Sequence, residues 1–171
     1  MQTEKKLLEC EHFLNDNGSI NYSYEIWSYD DNVRYDTVFY KYNNDDQVIL
    51  EVRRSGNSID STSYVYSDGN LVSSSVKPEN RKSIYTVSEH ENKYNIFEDR
   101  ILIPGFYGKG SRNLIVKEVD TIPNYGVMTS TYNYEYNSDG LITSRDFLEM
   151  DSNNPDEPYW EVNSTIGYSC K

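Results

Sequence analysis

The chain has 171 residues, of which 17 are tyrosine and none is alanine. The lack of the best helix former, together with many aromatic and β-branched residues, excludes a mainly helical protein and a disordered one. Its 28 acidic residues outnumber 16 basic ones and give a formal net charge of −12, which disfavours nucleic acid and anionic membrane surfaces as partners. No apolar stretch approaches the ~20 residues of a transmembrane helix.

Tyrosines at alternate positions mark the predicted strands. The alternation occurs four times along the chain, in segments 22–26, 40–42, 64–66 and 132–136. Side chains at positions i, i+2 and i+4 of a strand share one face, so each segment has a tyrosine face and a more polar face. We therefore predict a single all-β domain over residues 1–171, an antiparallel meander of roughly nine to twelve strands rolled into a barrel or half-barrel.

Turn residues separate these strands. Segments 64–72 and 134–142 are two copies of one unit, in which a tyrosine strand is followed by Asp-Gly and an aliphatic pair. A third copy, 40–49, has Asp46 in place of the glycine. Asp-Gly provides residues with positive φ, so tight hairpin turns are predicted at 68–69 and 139–140. Segment 13–20 predicts another hairpin turn, and segment 88–92 a degenerate one.

Two segments interrupt the alternation. Residues 100–116 contain Pro104 and three glycines in apolar surroundings, which a central strand does not tolerate, so we predict a long connection folded over an open end of the sheet. Residues 151–158 are rich in Asn, Asp and Pro and predict a solvated loop.

The unit of tyrosine strand, Asn/Ser-Asp-Gly and aliphatic pair resembles the YD-type repeats of large bacterial surface and toxin-shell proteins. The stretch from Tyr132 to Ile142, preceded by Gly108-Lys109 and Asn113-Leu114, is more closely similar to a porin-like domain found in secreted lipoproteins of gut bacteria. This resemblance implies a rolled antiparallel sheet and a location in the cell envelope, in the periplasm or at the cell surface, with a signal segment outside this chain. It implies no known activity.

The porin-like resemblance concerns shape. A membrane-spanning barrel needs an outward apolar band, whereas the positions that alternate with the tyrosines carry polar residues such as Lys41, Ser63 and Glu135. We therefore expect a soluble domain, and the high net charge favours a monomer.

No motif for catalysis or cofactor binding stands out. The glycine-rich segment 105–111 lacks the first glycine and the Ser/Thr after the lysine that a phosphate-binding loop requires. His12 and His90 are the two histidines, and neither belongs to a recognisable nucleophile motif. The acidic loops 43–46 and 151–156 do not match the twelve-residue calcium loop. We predict no catalytic residue, no cofactor and no metal site.

The tyrosines are the candidate binding residues. Rows of tyrosines on adjacent strands have three interpretations: the apolar core, the lining of a lumen, or an aromatic surface for sugars or proteins. The core interpretation is favoured because large exposed aromatic patches are uncommon, and it predicts Tyr134 and Tyr136 inward with Asn133 and Glu135 exposed. The candidate aromatic surface comprises Tyr22, Tyr24, Tyr132, Tyr134 and Tyr136.

These observations favour a non-enzymatic cell-envelope module that binds a glycan, a peptide or a protein. The alternative is a glycosidase-like hydrolase that uses two carboxylates in the mouth of the rolled sheet, although no acidic pair is singled out by its spacing. A third hypothesis is a barrel that holds a small apolar ligand.

Cys10 and Cys170 lie near the two ends of the chain. Alternation puts Cys10 and His12 on one face of the first strand, and Val162, Ser164 and Cys170 on one face of the last. If these strands meet, both thiols project to the same side, and a disulfide requires a register that brings the Cα atoms within about 7 Å. Two free thiols are the alternative.

Overall fold

The computed structural model describes residues 5–29, 32–92, 96–97, 100–101 and 109–165. The strands in chain order are β1 (Lys5–Leu14), β2 (Ile20–Tyr29), β3 (Asn32–Tyr42), β4 (Val48–Ser55), β5 (Ser58–Ser67), β6 (Asn70–Lys77), β7 (Arg81–Glu91), β8 (Ile96–Phe97), β9 (Arg100–Ile101), β10 (Asn113–Ile122), β11 (Gly126–Tyr136), β12 (Ile142–Asp151) and β13 (Asn154–Thr165). Among the described residues β8 and β9 pair with each other, and the other eleven strands form one sheet.

The eleven-stranded sheet is an antiparallel meander. Its spatial order is β1-β2-β3-β4-β5-β6-β7-β10-β11-β12-β13, so neighbours in the sheet are also neighbours along the chain once the β8–β9 hairpin is set aside. In the described part of the chain β1 and β13 are the two edges, and the curved sheet between them is a half-barrel. The predicted all-β meander is confirmed. Among the described residues there is no helix long and apolar enough to cross a membrane.

The two faces of the sheet follow the alternation of the sequence on β11. Tyr132 is 8% exposed on the inner, concave face and Tyr134 is half-buried beside it, whereas Asn133 and Glu135 are exposed on the outer face. The inward prediction for Tyr134, and its exposed neighbours, are therefore confirmed. The reason is that a register slip by one residue would bury a carboxylate and an amide in place of two aromatic rings.

The core lies on the concave face around four buried residues. These are Leu71, Tyr85, Ile115 and Tyr132, and half-buried Tyr64, Tyr66, Val87, Tyr134 and Phe147 pack against them. Two of these phenols form hydrogen bonds: the Tyr134 hydroxyl donates to the Ile115 carbonyl at 2.9 Å, and the Tyr85 and Ser74 hydroxyls are 3.0 Å apart. Tyrosine can therefore serve as the main core residue of this sheet.

The predicted hairpin glycines have positive φ, 77° at Gly69 and 73° at Gly140. Asp68 also has a positive φ of 50°, so residues 68–69 form a two-residue type I′ turn. The loop at 137–141 is longer, with the Gly140 amide donating to the Asn137 carbonyl and the Asn137 amide to the Leu141 carbonyl. Segments 64–72 and 134–142 therefore share a sequence pattern but differ in turn type.

The loop at 43–47 is the structural equivalent of the loop at 137–141. The Asp46 amide donates to the Asn43 carbonyl, the Asn43 amide donates to the Gln47 carbonyl, and Asp46 has a φ of 61°. In both loops the asparagine Oδ1 also accepts two amides of its own turn. Asp46 thus adopts the left-handed conformation that glycine has at 140, as the sequence alignment of the units implied.

Part of the predicted connection over the end of the sheet is described, at residues 109–112. The Lys109 amide donates to the Asp46 carbonyl, and the Arg112 amide donates to the Gly69 carbonyl, both at 2.8 Å. The buried Gln47 amide donates to the carbonyls of Gly69 and Gly110. This segment therefore joins the β3–β4 and β5–β6 turns at one end of the half-barrel. Residues 102–108, including most of the glycine-rich segment, lie outside the described residues.

Three predicted irregular segments are partly or wholly strand. Residues 113–116, the end of the predicted connection, begin β10. Residues 88–91 continue β7, so the prediction of a degenerate turn at 88–92 was wrong. The predicted solvated loop at 151–158 was also wrong, because β12 extends to Asp151 and β13 begins at Asn154 after a two-residue turn. Pro155 and Pro158 are tolerated in β13 because it is an edge strand, where a missing amide hydrogen breaks no central ladder.

Candidate functional site

The concave face encloses a cavity of about 650 Å³. Residues from β3 to β7 and from β10 to β13 line it, so nearly the whole width of the sheet contributes. The lining combines aromatic rings with charged side chains of both signs. The charged residues are Glu51, Glu118, Asp120, Glu149, Arg53, Arg81, Lys109 and Arg145.

Five inward residues form one row across five adjacent strands. Tyr85 on β7 is opposite Glu118 on β10, Glu118 is opposite Ser130 on β11, Ser130 is opposite Glu149 on β12, and Glu149 is opposite Trp160 on β13. All five line the cavity. We call Tyr85, Glu118, Ser130, Glu149 and Trp160 the acidic row. It has an aromatic residue at each end and two carboxylates between them.

Trp160 is the accessible aromatic side chain of the acidic row. It is 61% exposed, whereas Tyr85 is 6% exposed, and no other ring of the described residues stacks on its indole. The neighbouring Tyr159 is 64% exposed but does not line the cavity. An indole whose face is open toward a cavity can stack on an apolar face of a ligand.

Glu149 of the acidic row differs from Asp120 of the cavity lining in its partners. Asp120 forms short contacts with the Arg81 guanidinium and the Ser83 hydroxyl, so it belongs to an ion pair. Glu149 accepts a hydrogen bond from the Ser130 hydroxyl at 3.4 Å and, within the described part of the chain, has no ion pair with a lysine or arginine. Glu149 therefore retains capacity to accept further hydrogen bonds.

A second cluster of charges lies on the inner face of β2, β3 and β4. The Asp36 side chain, 0% exposed, accepts two hydrogen bonds from Arg34 at 2.6 and 2.8 Å and one from Arg53 at 2.9 Å. Arg53 also donates to Glu25 at 2.7 Å, and the Trp27 indole donates to the same carboxylate. Burial alone would raise the pKa of Asp36, but the hydrogen bonds from Arg34, Ser55 and Arg53 outweigh it and lower the pKa.

Three of the five candidate tyrosines lie on β11, and one of them reaches the cavity. Tyr132 lines it and packs against Phe147, with ring centroids 5.3 Å apart. Tyr134 is held by its bond to Ile115, and burial raises its pKa to about 12. Tyr136 is half-buried and stacks on His90, with centroids 4.7 Å apart. His90, which falls within the degenerate turn predicted at 88–92, therefore lies on β7 against an aromatic ring.

The other two candidates, Tyr22 and Tyr24, lie on the outer face, so the five do not form one surface. Their neighbours Ser23 and Glu25 occupy the inner face, because Glu25 belongs to the buried charge cluster. Tyr22 stacks on Phe13 at 4.4 Å with planes 11° apart, and Tyr24 stacks on Tyr35 at 6.2 Å. Their ring faces are covered by these neighbours, which is typical of a cross-strand ladder that stabilises a sheet.

Cys10 and His12 lie on the same side of β1, as the alternation predicted. The Cys10 sulfur is 3.5 Å from His12 Nε2 and 3.9 Å from Nδ1. Burial, followed by the nearby Glu25 charge, raises the pKa of the Cys10 thiol. A raised thiol pKa disfavours the thiolate, which is the nucleophilic form of cysteine. Cys10 is a free thiol, and Cys170 lies outside the described residues.

The described residues contain no group of three or more His, Cys, Asp or Glu side chains arranged to hold a metal ion. In the 151–156 region Asp151 instead accepts hydrogen bonds from the Asn153 amide and from the Tyr125 hydroxyl. These oxygens stabilise a turn.

Sequence reasoning missed Glu118, Glu149 and Trp160. The alternation at Val162 and Ser164, extended by two residues toward the N-terminus, places Trp160 on the same face. The sequence analysis did not extend it, because a solvated loop was predicted at 151–158. No local signal identifies the two glutamates. They lie on β10 and β12, on either side of Ser130, and strand pairing alone brings them together.

Neither a family model nor a curated protein sequence matches the chain significantly. Among solved structures, a porin-like protein from Bacteroides uniformis ATCC 8492 has a similar fold, with a TM-score of 0.62 and 18% sequence identity. The match covers 91% of this chain and 66% of that chain, so this chain spans about two thirds of that protein's length. At this identity the similarity shows the fold alone, and it supports the porin-like part of the expected resemblance.

Proposed function

We propose that the concave face of the half-barrel binds a carbohydrate chain in its cavity and that the module does not catalyse a reaction. The observation that carries this proposal is the acidic row, in which the open face of Trp160 stands directly opposite Glu149. A sugar ring presents an apolar face that can stack on an indole and hydroxyl groups that donate to carboxylates. A peptide or protein partner would use the same aromatic anchor, but it would not require paired acceptors beside it.

The similar fold of a porin-like bacterial protein supports a location in the cell envelope, and we propose that location for this chain. We also propose that residues 1–171 act as one domain and, given the net charge of −12, as a monomer.

Carbohydrate binding is tested with an array of bacterial, plant and host glycans, followed by calorimetry on each hit. Trp160→Ala should weaken binding at least tenfold, which corresponds to about 1.4 kcal/mol. Tyr159→Ala is the matched control, because it removes a ring of comparable exposure from the same strand outside the cavity. Equal losses in both variants, or no binding of any glycan by the parent protein, would contradict the proposal.

The alternative function is a glycosidase-like hydrolase. One observation favours it: Glu118 and Glu149 are two strands apart in the acidic row, so their backbones are separated by about 10 Å at the usual strand spacing. Inverting glycosidases hold their carboxyls about 6.5–9.5 Å apart. Release of new reducing ends from a bound glycan, abolished in Glu149→Gln, would establish the hydrolase and overturn the non-enzymatic proposal.

A further inference from the structure

The acidic row also bears on which sugars can bind. We propose that the cavity selects uncharged sugar chains, and that Glu149 excludes sugars that carry a carboxylate. This inference rests on the proposed function, since it concerns a sugar held against Trp160. The class of ligand is an uncharged sugar chain, and Glu149 determines the selection.

The register brings the ligand and the carboxylates together. Trp160 and Glu149 are directly opposite each other, and side chains in such pairs are about 4.5–5.5 Å apart at Cβ. A sugar ring on the indole therefore has its substituents beside the Glu149 carboxylate, and the next ring along the row reaches Glu118. Carboxylates accept hydrogen bonds and donate none, so they suit the hydroxyls of a neutral sugar.

The local charge balance makes the position beside Glu149 unfavourable for an anionic sugar. The four acidic and four basic residues of the cavity lining cancel in number, but the cations are not distributed evenly. Arg81 is paired with Asp120, Arg53 with Glu25 and Asp36, and Lys109 with Asp46. The fourth cation, Arg145, is four residues from Glu149 along β12, which is about 13 Å at the usual rise of a strand. Glu149 has no such partner among the described residues. A sugar carboxylate beside it would meet an uncompensated like charge in a partly desolvated cavity, where repulsion is stronger than in water.

Selection by charge is measured with matched pairs of oligosaccharides that differ at C6 only. Each neutral chain, such as a galactan or a glucan, is compared with its C6-oxidised counterpart, a galacturonan or a glucuronan. The quantity of interest is the dissociation constant of the C6-oxidised chain divided by that of the neutral chain. For the parent protein we expect the neutral chain to bind at least tenfold more tightly, and the ratio to fall as salt screens the repulsion.

Two variants separate a local effect from the overall charge. Glu149→Gln removes one negative charge from the acidic row, and Asp146→Asn removes one from the exposed outer face of the same strand. We expect the ratio to fall at least threefold in Glu149→Gln and to stay within about a factor of two in Asp146→Asn.

A parent protein that binds both forms of a pair equally well would overturn the selection while leaving carbohydrate binding intact. The same fall in ratio in both variants would assign the selection to the overall charge and overturn the role of the acidic row. Binding of neither form would remove the proposed function, and this inference with it.

Discussion

Replacing Asp36 by Asn is expected to destabilise the protein through the buried charge cluster of β2, β3 and β4. The carboxylate has no exposed surface and accepts hydrogen bonds from Arg34, Arg53 and Ser55. Asparagine has nearly the same shape but no charge, and its side-chain nitrogen cannot accept a hydrogen bond as the second carboxylate oxygen does. The variant therefore leaves guanidinium groups facing a neutral amide.

The size of the effect follows from what remains after the substitution. Removing one partner from a buried ion pair costs about 3–5 kcal/mol. Here Arg53 keeps its 2.7 Å bond to Glu25, and Arg34 is 39% exposed and can be hydrated. We therefore expect a loss near the lower end, about 3 kcal/mol at pH 7, which lowers the Tm by about 6–12 °C for a domain of this size.

The pH dependence distinguishes the charge from the shape of the side chain. The pKa of Asp36 is lowered in the folded protein, so its contribution is complete above the ordinary aspartate pKa of about 3.9 and is lost as the pH falls through the folded value. The difference in Tm between the parent protein and Asp36→Asn should therefore shrink in acid, where the parent carboxyl is itself neutral.

Thermal unfolding followed by circular dichroism at pH 7 and at acidic pH measures both quantities. Asp146→Asn is the control for loss of one negative charge, because Asp146 is exposed on the outer face. A loss of less than 1 kcal/mol at pH 7, or a difference in Tm that does not change with pH, would refute the reasoning from the buried ion cluster.

The remaining predictions concern one glycine and one tyrosine. Gly140→Val should lower the free energy of unfolding by about 1–2 kcal/mol. The loss comes from the left-handed backbone alone, because a Cβ there would meet nothing within 4 Å. Chemical denaturation measures it with Ser138→Ala as control, and an unchanged midpoint would contradict the prediction. Tyr134 should ionise near pH 12, so stability should fall as the pH rises from the ordinary tyrosine pKa of about 10 toward that value. An absorbance titration of the parent protein minus Tyr134→Phe should show that midpoint, and a difference curve centred at pH 10 would mean that the phenol is not buried.

The sequence by itself determined the fold class because the signals for it are local. Alternating residues such as Tyr132, Asn133 and Tyr134 specify a strand with one buried face, and the Asp-Gly pairs specify where the strands reverse. In a meander each strand pairs with its neighbour in the chain, so these local signals also determine most of the sheet order. The positive φ of Asp46 follows in the same way, from its place in a repeated turn.

Only the tertiary structure decided which face of each strand is the inner one. Tyr22-Ser23-Tyr24 has the same alternation as Tyr132-Asn133-Tyr134, yet its tyrosines lie outside. The difference arises because Glu25 joins Asp36 and Arg53 from other strands in a buried ion cluster, a set of contacts that no local pattern records. The acidic row has the same origin: Glu118, Glu149 and Trp160 come together through pairing registers, and a register is a property of two strands and not of either sequence alone.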